Sequence, residues 1–295
     1  MALIQTLKFI FTHPLTRNRK FSAFKRWIRW QLGSRILPGG CVVPFVENTR
    51  LLVYPGMTGA TGNIYTGLHE CNDMGFLLHF LRPGDLFVDV GANIGSYTIL
   101  SCGVIGARTI SIEPVPSTYQ YLLDNLNLNR LRDNTTCFNV AAGSKKDIIQ
   151  MIADQDTVNR VINSDNYSGS VIDVSVETLD QLLGRQIPTL IKIDVEGFET
   201  EVLRGAKKIL RNPRLKAIII ELNGSGQNYG FDEQRLHLDI INSGFTVCKY
   251  DVMTRKLTKA NDKGSVGNTL YIRDMAEAQD RIDSAKKVSV IGLSL

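Results

Sequence analysis

The segment Leu86 to Thr98, Leu-Phe-Val-Asp-Val-Gly-Ala-Asn-Ile-Gly-Ser-Tyr-Thr, constrains the fold more than any other part of the chain. Leu86, Phe87, Val88 and Val90 read as a strand covered on both faces, and this strand runs into a turn carrying Gly91 and Gly95 and then into a helix start. Glycine at those two places admits backbone angles and close approach that a Cβ would forbid. Polar ligand atoms can then lie against bare main chain, with the free N–H groups of the following helix directed at a carboxylate or other anion.

Spacing narrows the ligand. Thr109 to Ile112 reads as a second strand, and it ends in Glu113, 22 positions after Gly91, where an acidic residue grips ribose hydroxyls in doubly wound nucleotide folds. A dinucleotide site wants Gly-x-Gly-x-x-Gly, but Asn93 stands where the second glycine would admit a pyrophosphate. A nucleotide-binding oxidoreductase using NAD is therefore the weaker reading. An adenosine ligand without a pyrophosphate, S-adenosylmethionine foremost, fits better.

A third strand end adds acids. Thr189 to Glu199, Thr-Leu-Ile-Lys-Ile-Asp-Val-Glu-Gly-Phe-Glu, places Asp194, Glu196 and Glu199 at the carboxyl end of a buried strand, where open α/β sheets bind ligands. Lys192, among apolar neighbours, is expected to reach solvent or to pair with one of them.

The rest of the pattern alternates buried strands with helices. Helices are expected over Ser96 to Gly103, from a Ser117 cap through Leu128, over Glu199 to Leu210 ahead of Pro213, and over Glu233 to Asn242. Further strands are Thr136 to Val140 and Leu215 to Leu222, and Phe245 to Tyr250 with Asn268 to Arg273 forms a closing pair. This predicts an α/β fold, a doubly wound, mostly parallel sheet with one antiparallel strand. Residues 145–176 interrupt the alternation and read as an added hairpin or lid around a polar Asn163 to Ser170, and the stretch after Ala276 has no assignable pattern.

The five cysteines contain no Cys-x-x-Cys pair, which predicts neither a zinc site nor a disulfide framework and suits a reducing cytoplasm. Charge is concentrated at one end. Residues 1–46 hold eight Lys and Arg and no acid, so the +5 of the whole chain leaves −3 for the remainder. Phe24, Trp27, Ile28 and Leu32 fall at helical spacing beside Lys20, Arg26 and Arg29. Two accounts stay open: a basic amphipathic helix lying on an anionic membrane, or a helix capping the catalytic domain with its aromatic face inward. No membrane span, signal peptide or nucleic-acid-binding module is expected.

Four stretches together, Phe-Val-Asp-Val-Gly-Ala-Asn-Ile-Gly, the Ile-Glu-Pro after the second strand, the Val174 to Asp180 run and Ile-Lys-Ile-Asp-Val-Glu-Gly-Phe-Glu, resemble the FkbM family of S-adenosylmethionine-dependent methyltransferases over roughly Ile64 to Arg273. The resemblance implies a class I methyltransferase, Rossmann-like sheet and O-methyl transfer to sugars, glycolipids or natural products. Nitrogen or carboxyl acceptors are its alternatives. It also makes Glu70 a candidate for closing the donor pocket.

On this reading Asp89 and the Gly91–Asn93–Gly95 turn hold the methionine end, Glu113 the ribose, and Ala141 and Ala142 the adenine. Asp194 binds the donor's ammonium or acts as base, and Glu196 and Glu199 are the other candidate bases, because an aliphatic hydroxyl is un-ionised at neutral pH. Tyr65 is expected near the methionine end, and His69 and His79 are expected to be structural; no metal site is predicted. The chain divides into a basic extension and lead-in (1–63), a methyltransferase domain (64–275) with its 145–176 insertion, and a tail (276–295). A cytoplasmic enzyme with peripheral membrane contact through its N-terminus is expected.

Overall fold

A computed structural model describes residues 3–36, 39–152, 171–264 and 267–295. Among them, eight strands build the central sheet: β1 (Leu86–Val90), β2 (Arg108–Ile112), β3 (Thr135–Phe138), β4 (Leu190–Ile193), β5 (Ala217–Glu221), β6 (Thr246–Asp251), β7 (Lys256–Lys259) and β8 (Asn268–Ile272). Their order across the sheet is β7-β6-β8-β5-β4-β1-β2-β3. β1 to β5 pair in parallel, and β8 is inserted antiparallel to both β5 and β6. The chain thus has the mostly parallel α/β sheet expected of a class I methyltransferase. The edge strand β7, antiparallel to β6, was not foreseen, because Lys256–Lys259 is largely exposed and carries no apolar alternation.

Alternation along the buried strands divides the interior into two layers. Phe87, Leu190, Ala217, Ile219, Leu270 and Ile272 face one side of the sheet; Val88, Val90, Ile191, Ile193, Ile218, Ile220 and Tyr271 face the other. Each such Leu, Ile or Phe contributes about 1.5–3 kcal/mol by leaving water.

The two chain ends pack into the first layer. Helices α1 (Leu3–Thr12) and α2 (Lys20–Ile36) bury Ile10, Ala23 and Trp30 and lie against α3 (Thr58–Thr66), which α4 (Cys71–Phe80) follows. The C-terminal stretch, which has no pattern in sequence, forms the helix Met275–Asp283 against α4 and a small hairpin whose Val290 bridges to Val46. Ala278, Ile282, Val288, Val290 and Leu295 are buried in that same layer. The segments divided off as extension and tail are therefore walls of one core.

Local differences have local causes. Pro116, not Ser117, opens the helix Pro116–Leu128, since a proline is preorganised for the first helical turn and gives up an N–H that would have no partner there. The helix predicted over Glu199 to Leu210 breaks into Glu199–Arg204 and Lys207–Arg211. Gly205 sits at the break because the Gly143 carbonyl oxygen would stand 2.0 Å from a Cβ there. In the insertion, Asp147–Ile152 and Val171–Glu177 pair antiparallel, and Ala141–Ala142 joins the end of the second strand. The Asn163 to Ser170 turn lies outside the described residues. No helix among the described residues is long and apolar enough to cross a membrane.

Candidate active site

At the carboxyl ends of β1, β2, β4 and β5 lies a cavity of about 250 Å³. Its floor is the turn after β1. Gly91 and Ala92 donate their N–H groups to the Ile112 carbonyl at 2.9 and 3.0 Å, and Asp194 N–H donates to Val90 O at 3.0 Å, which ties three strand ends together. Gly91 has φ 77°, and a Cβ there would lie 1.9 Å from the Asp194 carbonyl oxygen. Only a bare main chain fits. Asn93 also takes the left-handed conformation, φ 50°, which asparagine tolerates better than most residues, and its Oδ1 accepts from Ile94 N–H at 2.7 Å. Gly95 opens the short helix Ser96–Ile99.

Glu113 is buried beside this turn. Its Oε2 accepts from Asn93 N–H at 2.9 Å and its Oε1 from Val115 N–H at 3.0 Å, so the carboxylate is aimed into the cavity with lone pairs to spare. Burial outweighs those two N–H groups and pushes its pKa up to about 7. Ala141 and Ala142 line the adjoining wall. Ile149 and Met151, from the inserted strand, extend it with apolar surface. Sequence reasoning did not single out these two; the signal was the alternation of the Ile148 to Ile152 run, which turns Ile149 and Met151 to one face.

The other acids stand at the neighbouring strand ends. Asp194 Oδ2 accepts from Lys192 Nζ at 2.7 Å, and that ammonium lies 4.8 Å from the centre of the Tyr97 ring. Lys192 is buried and neutralises this wall rather than reaching solvent. Asp194, Glu196 and Glu221 each present a carboxylate oxygen within 4.8 Å of the others. Burial, then the charges of Asp194 and Glu196, raise Glu221 to about 8. Glu221 was missed in sequence, although it ends β5 just as Glu113 follows β2.

Glu199, expected among the bases, does not line the cavity. It is 1% exposed, and its Oε1 accepts from Val195 and Gly197 N–H at 3.1 and 3.2 Å, so its carboxylate organises the turn that carries Glu196. Asp89 borders the cavity, but its Oδ2 accepts from the buried Thr98 hydroxyl at 2.7 Å.

Glu70, expected to close the donor pocket, lines the cavity and accepts from Tyr97 Oη and Asn268 Nδ2, both at 2.8 Å. His69 lines the cavity, whereas His79 is buried against Tyr250 and Tyr65 accepts from Gln31 Nε2 at 3.1 Å; neither of the latter lines it. The first turn of α3, Thr58 to Ala60, with Asn63, supplies a wall that carried no sequence signal.

Comparison with known proteins places this cavity in context. A curated relative, the tRNA(Phe) (4-demethylwyosine(37)-C(7)) aminocarboxypropyltransferase of Pyrococcus horikoshii, is 26% identical over 154 residues, 48% of this chain and 54% of that protein. The match thus spans about half the length of that relative. Similar solved structures include a precorrin-6y C5,15-methyltransferase from Geobacter metallireducens (16% identity, 70% of this chain and 89% of that one, TM-score 0.40) and an rRNA methylase from Streptococcus thermophilus (15%, 68% and 91%, TM-score 0.39). Likeness at that level carries no conclusion about chemistry. The family model described as the methyltransferase FkbM domain matches residues 89–251, more than half of the chain, from Asp89 in β1 to the end of β6. That span takes in both the glycine turn and the acidic strand ends, and on it the chain belongs to the FkbM methyltransferase family.

Proposed function

We propose that this chain transfers a methyl group from S-adenosylmethionine to a hydroxyl oxygen of a sugar, glycolipid or natural-product acceptor. The observation that carries the reading is one cavity lined by a buried carboxylate, a bare-backbone turn and three clustered carboxylates. The residues present suit the donor. Glu113 would accept its ribose hydroxyls, Ala141, Ala142, Ile149 and Met151 would flank its adenine, and the Gly91–Gly95 turn with Glu70 would hold its methionine end. Bound there, the sulfonium supplies an already activated methyl group.

The protein's remaining tasks are alignment and proton removal. Lys192 holds Asp194 in place through Oδ2, and the other oxygen of that carboxylate would orient the donor's ammonium. Glu221, raised to about 8 by burial and then by the charges of Asp194 and Glu196, is matched to taking a hydroxyl proton as pH approaches 8, with Glu196 beside it. Like charges this close favour one shared proton, which raises the basicity of the group that finally receives it.

Calorimetric titration with S-adenosylmethionine, S-adenosylhomocysteine and NAD tests the donor. Binding of the two adenosyl ligands and not NAD is the expected result; NAD alone would return the oxidoreductase reading. Product analysis tests the transferred group. Release of S-adenosylhomocysteine accompanies methyl transfer, whereas methylthioadenosine would redirect the reading to aminocarboxypropyl transfer, the activity in the relative's name. A methylated nitrogen or carboxyl product would replace the hydroxyl acceptor.

The donor site also predicts a pH dependence. Burial leaves Glu113 part-protonated near pH 7 before the donor binds, and two ribose hydroxyls donating to its carboxylate would stabilise the ionised form. Donor binding should therefore release a proton and tighten as pH rises from the ordinary carboxylate range to about 7, then level off. Titration in buffers of different ionisation enthalpy reads the proton directly, and Glu113→Gln should flatten the dependence.

A further inference from the structure

Helix α2 packs with its two faces doing different work. Ala23 and Trp30 are buried, and Phe24 stacks on Trp27 with ring centres 5.5 Å apart, so part of the aromatic face does cap the domain. The opposite face is not covered. Phe21 is 81% exposed, Leu32 59% and Ile36 74%, with Ile28 in the same row and Lys25, Arg29 and Arg35 exposed between them. Spacings of three, four and seven put these residues on one stripe. Leu3 and Ile4 of α1 add two more exposed aliphatic side chains.

We propose that this stripe docks the protein on an anionic membrane surface, with α2 lying in the interface plane. The argument is charge complementarity joined to exposed aliphatic surface. Residues 1–46 contain eight bases and no acid, whereas the remainder of the chain is formally −3, so the net positive charge of the chain comes from this segment. Ile28, Leu32 and Ile36 offer nothing to hydrogen-bond or stack on a nucleic-acid base, but they partition into the headgroup–acyl boundary while lysine and arginine stems reach the phosphates.

The helices that carry these residues are tied to the elements that line the cavity. Arg26 donates to the Tyr65 carbonyl of α3 through Nε at 3.0 Å and Nη2 at 2.7 Å, and the Phe9 ring of α1 packs 5.2 Å from His69, which lines the cavity wall. Because α2 packs on α3, whose first turn lines the cavity, docking would bring the cavity close to the membrane surface. A lipid-borne acceptor is the consequence if the proposed methyl transfer holds; the docking itself does not rest on it.

Co-sedimentation of the full chain with vesicles tests the proposal, using phosphatidylcholine alone and phosphatidylcholine mixed with phosphatidylglycerol. Binding to the mixed vesicles only, weakened at high salt, is expected. Phe21→Glu with Leu32→Glu, and separately Lys25→Glu with Arg29→Glu, should each lower the partition coefficient by more than about tenfold. Unchanged circular dichroism and donor titration would show that both variants remain folded. Equal binding of parent and variants, or none to anionic vesicles, overturns the proposal. So does a homodimer that Phe21→Glu with Leu32→Glu dissociates without vesicle binding, which would make the stripe a contact between copies. Preferential capture of bulk tRNA through the bases, with no vesicle binding, overturns it equally.

Discussion

Glu221→Gln is expected to lower kcat by about a hundredfold to ten-thousandfold while leaving S-adenosylmethionine affinity within about threefold, the range that a positioned general base supplies. Glutamine keeps the size of the side chain and one acceptor oxygen but cannot take a proton. The parent enzyme should gain activity as pH rises to about 8, because burial and the charges of Asp194 and Glu196 hold the Glu221 carboxyl protonated below that pH. In the variant this rising limb should disappear. Glu199→Gln is the matched control: that carboxylate holds the Val195–Gly197 turn and does not line the cavity, so whatever turnover is lost there, the rising limb to about pH 8 should persist, and its loss would move the base away from Glu221.

Lys192→Met should cost about 1–3 kcal/mol of stability near neutral pH, because the carboxylates beside it lose their counter-charge while the burial cost of the ammonium itself is relieved. Lys192 is 3% exposed, pairs with Asp194 at 2.7 Å, and feels the charges of Glu70 and Asp89 as well. Methionine fills similar space and supplies none of the compensation. The sign with pH follows from the carboxylates left behind. Burial already raises the Asp89 carboxyl and Lys192 is the main charge opposing that rise, so without Lys192 the folded form holds a proton there that the unfolded form has released. Part of the lost stability should accordingly return as pH falls toward the ordinary carboxylate range. Urea unfolding of parent and variant across that range measures both effects. A loss below about 1 kcal/mol, or one independent of pH, would mean that the ammonium is not what holds the acidic wall together.

The parts of the molecule legible in sequence are those governed by short-range rules. β1 and β4 announce themselves because strands buried on both faces must be continuously apolar, and Gly91 because no Cβ fits against the Asp194 carbonyl. Glu113 is legible through its fixed distance from that glycine. By contrast, β7 is exposed and polar, the C-terminal helix and hairpin are short, and Thr58 to Ala60 carries no motif, so none of them differs from a loop until its neighbours are in place.

Glu199 and Glu221 mark the boundary most sharply. As sequence, Glu199 belongs to a cluster of acids and Glu221 stands nearly alone, yet folding buries the first under a turn and brings the second to within 4.8 Å of Asp194 and Glu196. The same holds for α2, whose helical spacing reveals an amphipathic segment but not which apolar residues face inward. Periodicity, glycine placement and motif spacing by themselves determined the fold class, the turn and the family resemblance. Which carboxylates share a cavity, which are spent on backbone N–H groups, and which apolar stripe is left facing outward were decided only by tertiary packing, because they depend on contacts between strands and helices far apart in the chain.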